Sequence, residues 1–544
     1  MDWKRVSPAM LAFVTAAGLV AGCSDQQAGG GKDGSAPGGS EAKDVHATGF
    51  PIVKEPLKLT FFAGKADSAP ANWNDVEIWK EYAKMTGITI DWRLTPSSDP
   101  AALAQKRNVI LAGGDLPDAF HTARFSSTDI ANYGDQGLLI PLNGLIDKYA
   151  PNVKKALDSN PEVKKGLTMP DGNIYSLPTF YDPSFRSVVI GSEFWINKKF
   201  LDALGMKEPT TTEEYYQYLK AVKTQDPNKN GKNDEIPFAA SGVLGGIGIV
   251  DQLKGAWGLG NRGNTHSRVD VDPKTNKLRF EPADPGYKES LEYLNRLYKE
   301  DLFIPDIMTI KGPEMLAKGK EGLYGSFIHI NESASFGTQT GDYVGLTALK
   351  GPHGDQVFSR ARSPLIDIGA FAITNKNKHP EATMRWVDYF YSEEGSKMFF
   401  MGIKDKSYVV KPDGTLDYSD EIKKDKEAQK KYVTFAGGFY PAMLTKNTYF
   451  GGESYPENLE AVKKIEPYYP KEVWPAFTYT QEELTRFTPL SNDINKYVDE
   501  MTVKFIMGNA PFSEWDNYIA TLKKMGLEDY MKIYTAAYER YSKK

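Results

Sequence analysis

The stretch Leu57–Leu94 reads LKLTFFAGKADSAPANWNDVEIWKEYAKMTGITIDWRL. Its first residues alternate and predict a strand ending near Gly64. VEIWKEYAKMTG then brings Val76, Trp79, Tyr82 and Ala83 onto one helical face, with Gly87 as the stop. ITIDWRL predicts the next strand. Pro100–Phe120, PAALAQKRNVILAGGDLPDAF, repeats the unit as helix, glycine stop and buried strand end. Strand, helix, strand and helix in this order predict an α/β lobe on a largely parallel sheet.

Working outward, the chain has 544 residues, 40% of them apolar. Chains beyond roughly 250–300 residues split into domains, so two large lobes are expected. Ser187–Ile196 reads as an apolar strand, followed by a helix ending at Gly205. In PTTTEEYYQYLKAVKTQ, Thr211 and Glu214 form a capping box, and Tyr215, Tyr218, Leu219 and Val222 form a buried stripe. Gly369–Gly395 again reads as strand then helix. The C-terminus is helical: Ile494, Val498, Met501 and Phe505 share one face up to Gly508, and Trp515, Tyr518, Ile519 and Leu522 share another up to Gly526. No internal repeat is present.

The formal net charge is -5 and no basic block stands out, which argues against a nucleic-acid partner. The single cysteine, Cys23, rules out an intrachain disulfide. None of the six histidines has the H-E-x-x-H spacing of a zinc hydrolase. Cys23 sits where an export signal would end. Lys4 and Arg5 precede a short apolar run, Ala9–Val20, too short for a comfortable membrane span. Val20-Ala21-Gly22-Cys23 resembles the bacterial lipobox, which implies a signal peptide over 1–22, cleavage before Cys23 and lipid on its sulfur and new amino group. Residues 23–50 are glycine-rich and charged and predict a flexible tether. The folded body is therefore expected outside the cytoplasm, held to a membrane by lipid.

Thr224–Phe238, TQDPNKNGKNDEIPF, crowds oxygen donors around one glycine. Counted from Asp226, side-chain oxygens fall at positions 1 (Asp226), 3 (Asn228) and 5 (Asn230), with Gly231 at 6 and the Lys232 carbonyl at 7. This is the order in which an EF-hand loop wraps a hard cation. Position 12 is Pro237, not glutamate, so the closing carboxylate is expected from Asp234 or Glu235. The loop predicts a structural Ca²⁺ clip between helix and strand, not a sensor hand that opens.

Pro209–Phe238 resembles the extracellular solute-binding proteins of carbohydrate ABC transporters, family 1, and within them the LipO/YtcQ-type lipoproteins and the alginate-binding proteins. YSLPTF, EFWINKKFLDALG, AITNKNKHPEATMRWVDYFYSEEG and the C-terminal FIMGNAPFSEWDNYIATLKKMGLEDYMKIYTAAYERY agree, so the resemblance spans Leu57 to Tyr541. It implies an α/β, periplasmic-binding-protein-like (type II) two-lobed clamshell with a helical C-terminus. The N-terminal lobe is expected over 51–185 and 366–410, and the C-terminal lobe, carrying the calcium loop, over 186–365 and 411–544. Crossings are expected near Pro178–Val188 and Ser363–Phe371. The resemblance also implies calcium on Asp226, Asn228, Asn230, Lys232, Asp234 and Glu235. It further implies an oligosaccharide held between the lobes, delivery to an ABC permease, a monomeric state and no catalysis.

A sugar cleft needs aromatic platforms for C–H faces and polar side chains for hydroxyls. Trp257 among glycines, Trp73 after the first strand, Tyr181 beside a crossing, Phe120 and Trp474 are the candidate platforms. Arg360 is the candidate cation, with Arg186, Arg262 and Arg362 also available for an acidic sugar. Gly258-Leu-Gly-Asn-Arg-Gly263 spells G-x-G-x-x-G, but lacks the flanking βαβ context of a dinucleotide site. The rival readings are a lipid-anchored glycoside hydrolase or lyase, and a glycan sensor feeding a membrane kinase.

Overall fold

The computed structural model describes residues 44–543 except 246–247, 339 and 436–439. Cys23, the signal peptide over 1–22 and the tether up to Lys43 lie outside the described residues.

The chain visits each of two cores twice. It first lays down β1 (Leu57–Lys65), β2 (Ile88–Pro96), β3 (Ala119–Phe125) and β4 (Leu177–Tyr181). It then crosses to β5 (Glu193–Asn197), β6 (Ile236–Ala239), the hairpin β7 (Val269–Asp272) and β8 (Lys277–Phe280), β9 (Tyr324–His329) and β10 (Tyr343–Gly345). It returns with β11 (Leu365–Ile373), the hairpin β12 (Tyr408–Val410) and β13 (Leu416–Tyr418), and β14 (Met443–Leu444). Helices after Pro456 complete the second lobe.

The first-lobe sheet has the order β14-β4-β11-β3-β1-β2. β1 runs parallel to β2 and β3, as the strand–helix–strand pattern requires, and β14 runs parallel to β4. β11 is antiparallel to both neighbours. It enters from the second lobe, against the direction of strands that lead towards that lobe. The second sheet, β10-β5-β9-β6, is mixed for the same kind of reason.

Periodicity places the core as expected. The helix Glu77–Thr86 buries Ile78, Trp79 and Tyr82 and stops at Gly87, whose φ of 76° is cheap only for glycine. Trp79 stacks on Trp386 at 5.6 Å, and Phe61 meets Trp386 edge-on at 5.1 Å. Truncating such a buried aromatic removes about 3–5 kcal/mol. In the second lobe the Thr211–Glu214 capping box is formed, and Tyr215, Tyr218, Leu219 and Val222 are fully buried. The 27-residue helix Gln481–Met507 buries Ile494, Val498 and Phe505 over this lobe and ends at Gly508 in the left-handed region.

Four sequence expectations are corrected. Ser187–Ile196 is not one strand: Arg186–Ile190 is a helical turn, and Gly191 at φ 75°, ψ −112° redirects the chain into β5. The first lobe does not end at 410, because Leu416, Ile422, Tyr432, Val433, Tyr440 and Leu444 pack into its core. Its first segment also runs past 185, since Val188 and Val189 belong to that core too. Finally, residues 44–50 are docked, not tethering. His46 N–H donates to Ile52 O, Arg385 donates to the carbonyls of His46 and Gly49, and Phe50 packs edge-on against Tyr389.

The three crossings fall at about 190–192, 358–364 and 445–455, so the first lies past the expected Pro178–Val188 and the second largely before the expected Ser363–Phe371, most of whose residues belong to the first lobe. Ile190, Phe358, Ala361, Val462 and Ile465 gather there into a small core of their own.

Candidate functional site: the groove shared by the lobes

The carboxyl ends of β1 and β3 meet at a pocket bounded by Gly64, Trp73, His121, Arg124, Phe435 and Tyr440. Its ≈ 50 Å³ holds a few waters but no sugar ring.

A groove of ≈ 830 Å³ lies between elements of both lobes. The second lobe contributes Trp195 of β5, Tyr343 of β10 and Glu332 and Ser333 of a short helix. The first lobe contributes Asp417 and Tyr418 of β13, and Lys423 from the helical turn that follows. The third crossing supplies Phe450, Tyr455 and Glu457. Tyr418, Phe450 and Tyr455 form a continuous aromatic row, with ring centroids 6.0 and 5.7 Å apart.

Carboxylates stand beside this row. Asp417 is held by Lys423 at 2.8 Å and Lys411 at 3.1 Å. Glu332 accepts from the hydroxyls of Thr338 at 2.9 Å and Thr340 at 2.6 Å. Glu457 accepts from Ser333 Oγ at 3.2 Å. Flat aromatic faces next to hydrogen-bond acceptors suit a polyol with apolar C–H faces.

A polar network lies behind the groove. Glu193, at the start of β5, is 0% exposed, and neither carboxyl oxygen has a hydrogen-bond partner. Burial pushes its pKa well above the usual carboxylate range. Asn458 donates to Ile330 O at 2.9 Å and accepts from Asn331. Ser187 Oγ donates to Glu453 O at 2.6 Å, tying the third crossing to the first.

None of the six expected ligand contacts lines the groove. Phe120 is core, packed against Phe62 and Phe125. Trp257 is core in the second lobe, against Tyr293 at 5.5 Å. Its neighbouring glycines do not open space: a Cβ on Gly255 would lie 1.9 Å from Val357 O. Trp474 is fully buried against Phe477 and Tyr538, with Arg262 over its ring at 5.5 Å. Trp73 packs on Trp92 at 4.9 Å and lines only the small pocket. Tyr181 is half-buried beside Tyr440. Arg360 is fully enclosed with no guanidinium nitrogen hydrogen-bonded, and burial lowers its pKa to about 10. Sequence reasoning missed Tyr418, Phe450, Tyr455 and the three carboxylates. The signal for the crossing was NTYFGGESYPEN (Asn447–Asn458), where aromatics flank a glycine pair.

The family model for bacterial extracellular solute-binding proteins matches residues 69–397. The chain belongs to this family. It is 31% identical over 517 residues to the fructooligosaccharide ABC transporter substrate-binding protein FusA of Streptococcus pneumoniae, covering 90% of this chain and 92% of that protein. The structure of FusA with kestose superposes with a TM-score of 0.75 at 27% identity, over 89% of this chain and 99% of FusA. An EF-hand mutant of FusA with fructo-nystose gives a TM-score of 0.74 at 28% identity, with the same coverage. Two Bacillus subtilis proteins are also similar. The polygalacturonan/rhamnogalacturonan-binding protein YtcQ is 23% identical over 85% of this chain and 88% of its own length. Lipoprotein LipO is 22% identical over 98% and 99%.

This solute-binding protein therefore has the two-lobed α/β architecture of its family and acts outside the cytoplasm. Among its described residues no helix is long and apolar enough to cross a membrane.

Its loop 226–235 is a tight turn between the helix Thr212–Thr224 and β6. Asp226, Lys229 and Gly231 take φ of 44°, 58° and 77°, coiling the backbone around the side chains. Asp226 accepts from Asn230 N at 3.1 Å and Gly231 N at 2.9 Å. The Asn230 amide reaches Asp234 at 3.0 Å, and Asn228 N–H donates to Glu235 Oε1 at 3.2 Å. The remaining oxygen, Glu235 Oε2, is buried without a partner.

Among the described residues no three acidic, histidine or cysteine side chains converge as a metal-ligand group, since the Asn228 and Asn230 amides stand between the carboxylates. Presenting those amide oxygens to an ion means turning them from the backbone N–H groups they now accept from, Asn230 N at 2.9 Å for Asn228 and Lys232 N at 2.8 Å for Asn230. Three carboxylates, one of them with an orphaned buried oxygen, and two amides fit a hard cation.

Proposed function

We propose that this protein binds an oligosaccharide in the interlobe groove and delivers it to the permease of an ABC importer. The observation that carries this reading is the groove itself. Its ≈ 830 Å³ falls in the range of small-molecule sites, ~300–1,000 Å³, and its wall alternates aromatic rings with hydrogen-bond acceptors. The likeness to FusA, solved with kestose, supports the same ligand class. The protein binds without hydrolysing. The third crossing and the hinge core let the lobes close around the sugar.

Two attachments complete the proposal. Asp226, Asn228, Asn230, the Lys232 carbonyl, Asp234 and Glu235 would hold Ca²⁺, which supplies charge neutralisation and fixes the loop. The EF-hand of FusA supports this. Cys23 would carry the lipid that anchors a monomer to the membrane, which the likeness to LipO supports.

Calorimetry and small-angle scattering with a glycan panel test the central claim. A bound glycan is expected to raise the melting temperature and compact the particle, and chromatography of the recovered glycan should find it intact. Loss of both effects across the panel would overturn sugar binding, and shortened products would make the protein an enzyme. Intact mass of membrane-extracted protein tests the lipid: wild type should carry acyl mass, and Cys23→Ser should not.

A further inference from the structure

We infer that the groove selects an uncharged oligosaccharide and disfavours uronate chains, an inference that rests on the sugar-binding reading above. The groove's ionic lining is Glu332, Asp417, Glu457 and one cation, Lys423. Lys423 and Lys411 are both committed to Asp417, and the Lys411 ammonium lies 5.8 Å over the Phe450 ring. Glu332 and Glu457 accept from threonine and serine hydroxyls, so their charge is hydrogen-bonded but not neutralised by those partners. A ring carboxylate laid on Tyr455, beside Glu457, would face like charge in a partly desolvated cleft, where charges are weakly screened. A neutral ring meets the opposite situation. Its hydroxyls donate to the same carboxylates, and its C–H face covers Tyr455 or Tyr418.

None of the four arginines that would read a uronate lines the groove. Arg186 lies over Tyr469 at 4.8 Å, and Arg262 lies over Trp474 and pairs with Glu472 at 3.3 Å. The Arg362 guanidinium abuts Gly191, 2.6 Å from where a Cβ would stand. Arg360 is enclosed at the second crossing and does not line the groove. The row of three aromatics is also longer than one ring needs, so the occupant is a chain of rings.

Titration calorimetry of the full body at low and high salt tests this. The ligands are length-matched: neutral trisaccharides (kestose, maltotriose, cellotriose, mannotriose) and trigalacturonate. At least one neutral trisaccharide should bind 10-fold or more tightly than trigalacturonate. Added salt should narrow the gap by strengthening the acidic ligand, as should the paired variant Glu332→Gln, Glu457→Gln. The salt series needs no variant, so a folding defect in the pair leaves the test intact. Trigalacturonate binding as tightly as every neutral sugar would overturn the inference and leave sugar binding standing. Silence from all ligands would overturn both.

Discussion

The loop 226–235 draws its oxygen atoms from ten consecutive residues, whereas the groove draws Glu332, Asp417 and Glu457 from three segments and two lobes. The first cluster is closed by local turns, at little entropic cost, and positive φ angles coil it into a cage. The second exists only after three crossings have set one lobe beside the other. A local cage can saturate one small ion. An assembled groove leaves flat faces and unfilled acceptors open, which suits a larger guest that moves the lobes.

The largest expected effect tests the loop. With Ca²⁺ at about 100–1,000 times its Kd, chelation should destabilise the protein by about 3–4 kcal/mol in denaturant unfolding. Asp226→Ala should show no such response, and an equal response in both proteins would remove the ion from the loop. Next comes the groove. Phe450→Ala should weaken binding of the preferred sugar by about 10–100-fold, or ~1.4–2.7 kcal/mol, with only a small drop in the unfolding midpoint because Phe450 is partly buried. A large stability loss would instead make Phe450 a packing residue. Thr211→Ala removes the cap of the helix feeding the loop and should lower stability by about 1 kcal/mol, equally with Ca²⁺ and with chelator. Unequal losses would mean that the cap and the ion act as one unit. Smallest of all, chelation should change sugar affinity by less than about twofold, ~0.4 kcal/mol, if the two clusters are independent.

The same contrast explains what the sequence disclosed. The helix Glu77–Thr86, the capping box at Thr211 and the loop at Asp226 depend on neighbours within a few residues, and their spacing reveals them. The direction of β11 depends on a crossing, which no local pattern encodes. No local pattern says which lobe holds the segment after Val410, and only packing of Leu416, Ile422 and Tyr432 shows it. Trp257 misled because glycine beside an aromatic has two meanings, open room or close approach, and here it is close approach. The groove aromatics were hidden among the 66 of the chain because their meeting is long-range.

The small core of Ile190, Phe358, Ala361, Val462 and Ile465 draws its members from the segments flanking all three crossings. If the lobes close on a sugar as proposed, the swing of one half about the other would be governed by how these five side chains interlock, not by slack connectors. Trimming Ile465 to alanine would loosen the pivot and alter the resting angle while leaving every sugar-facing atom in place. Affinity for cargo could thus be tuned by evolution from a spot the cargo never touches.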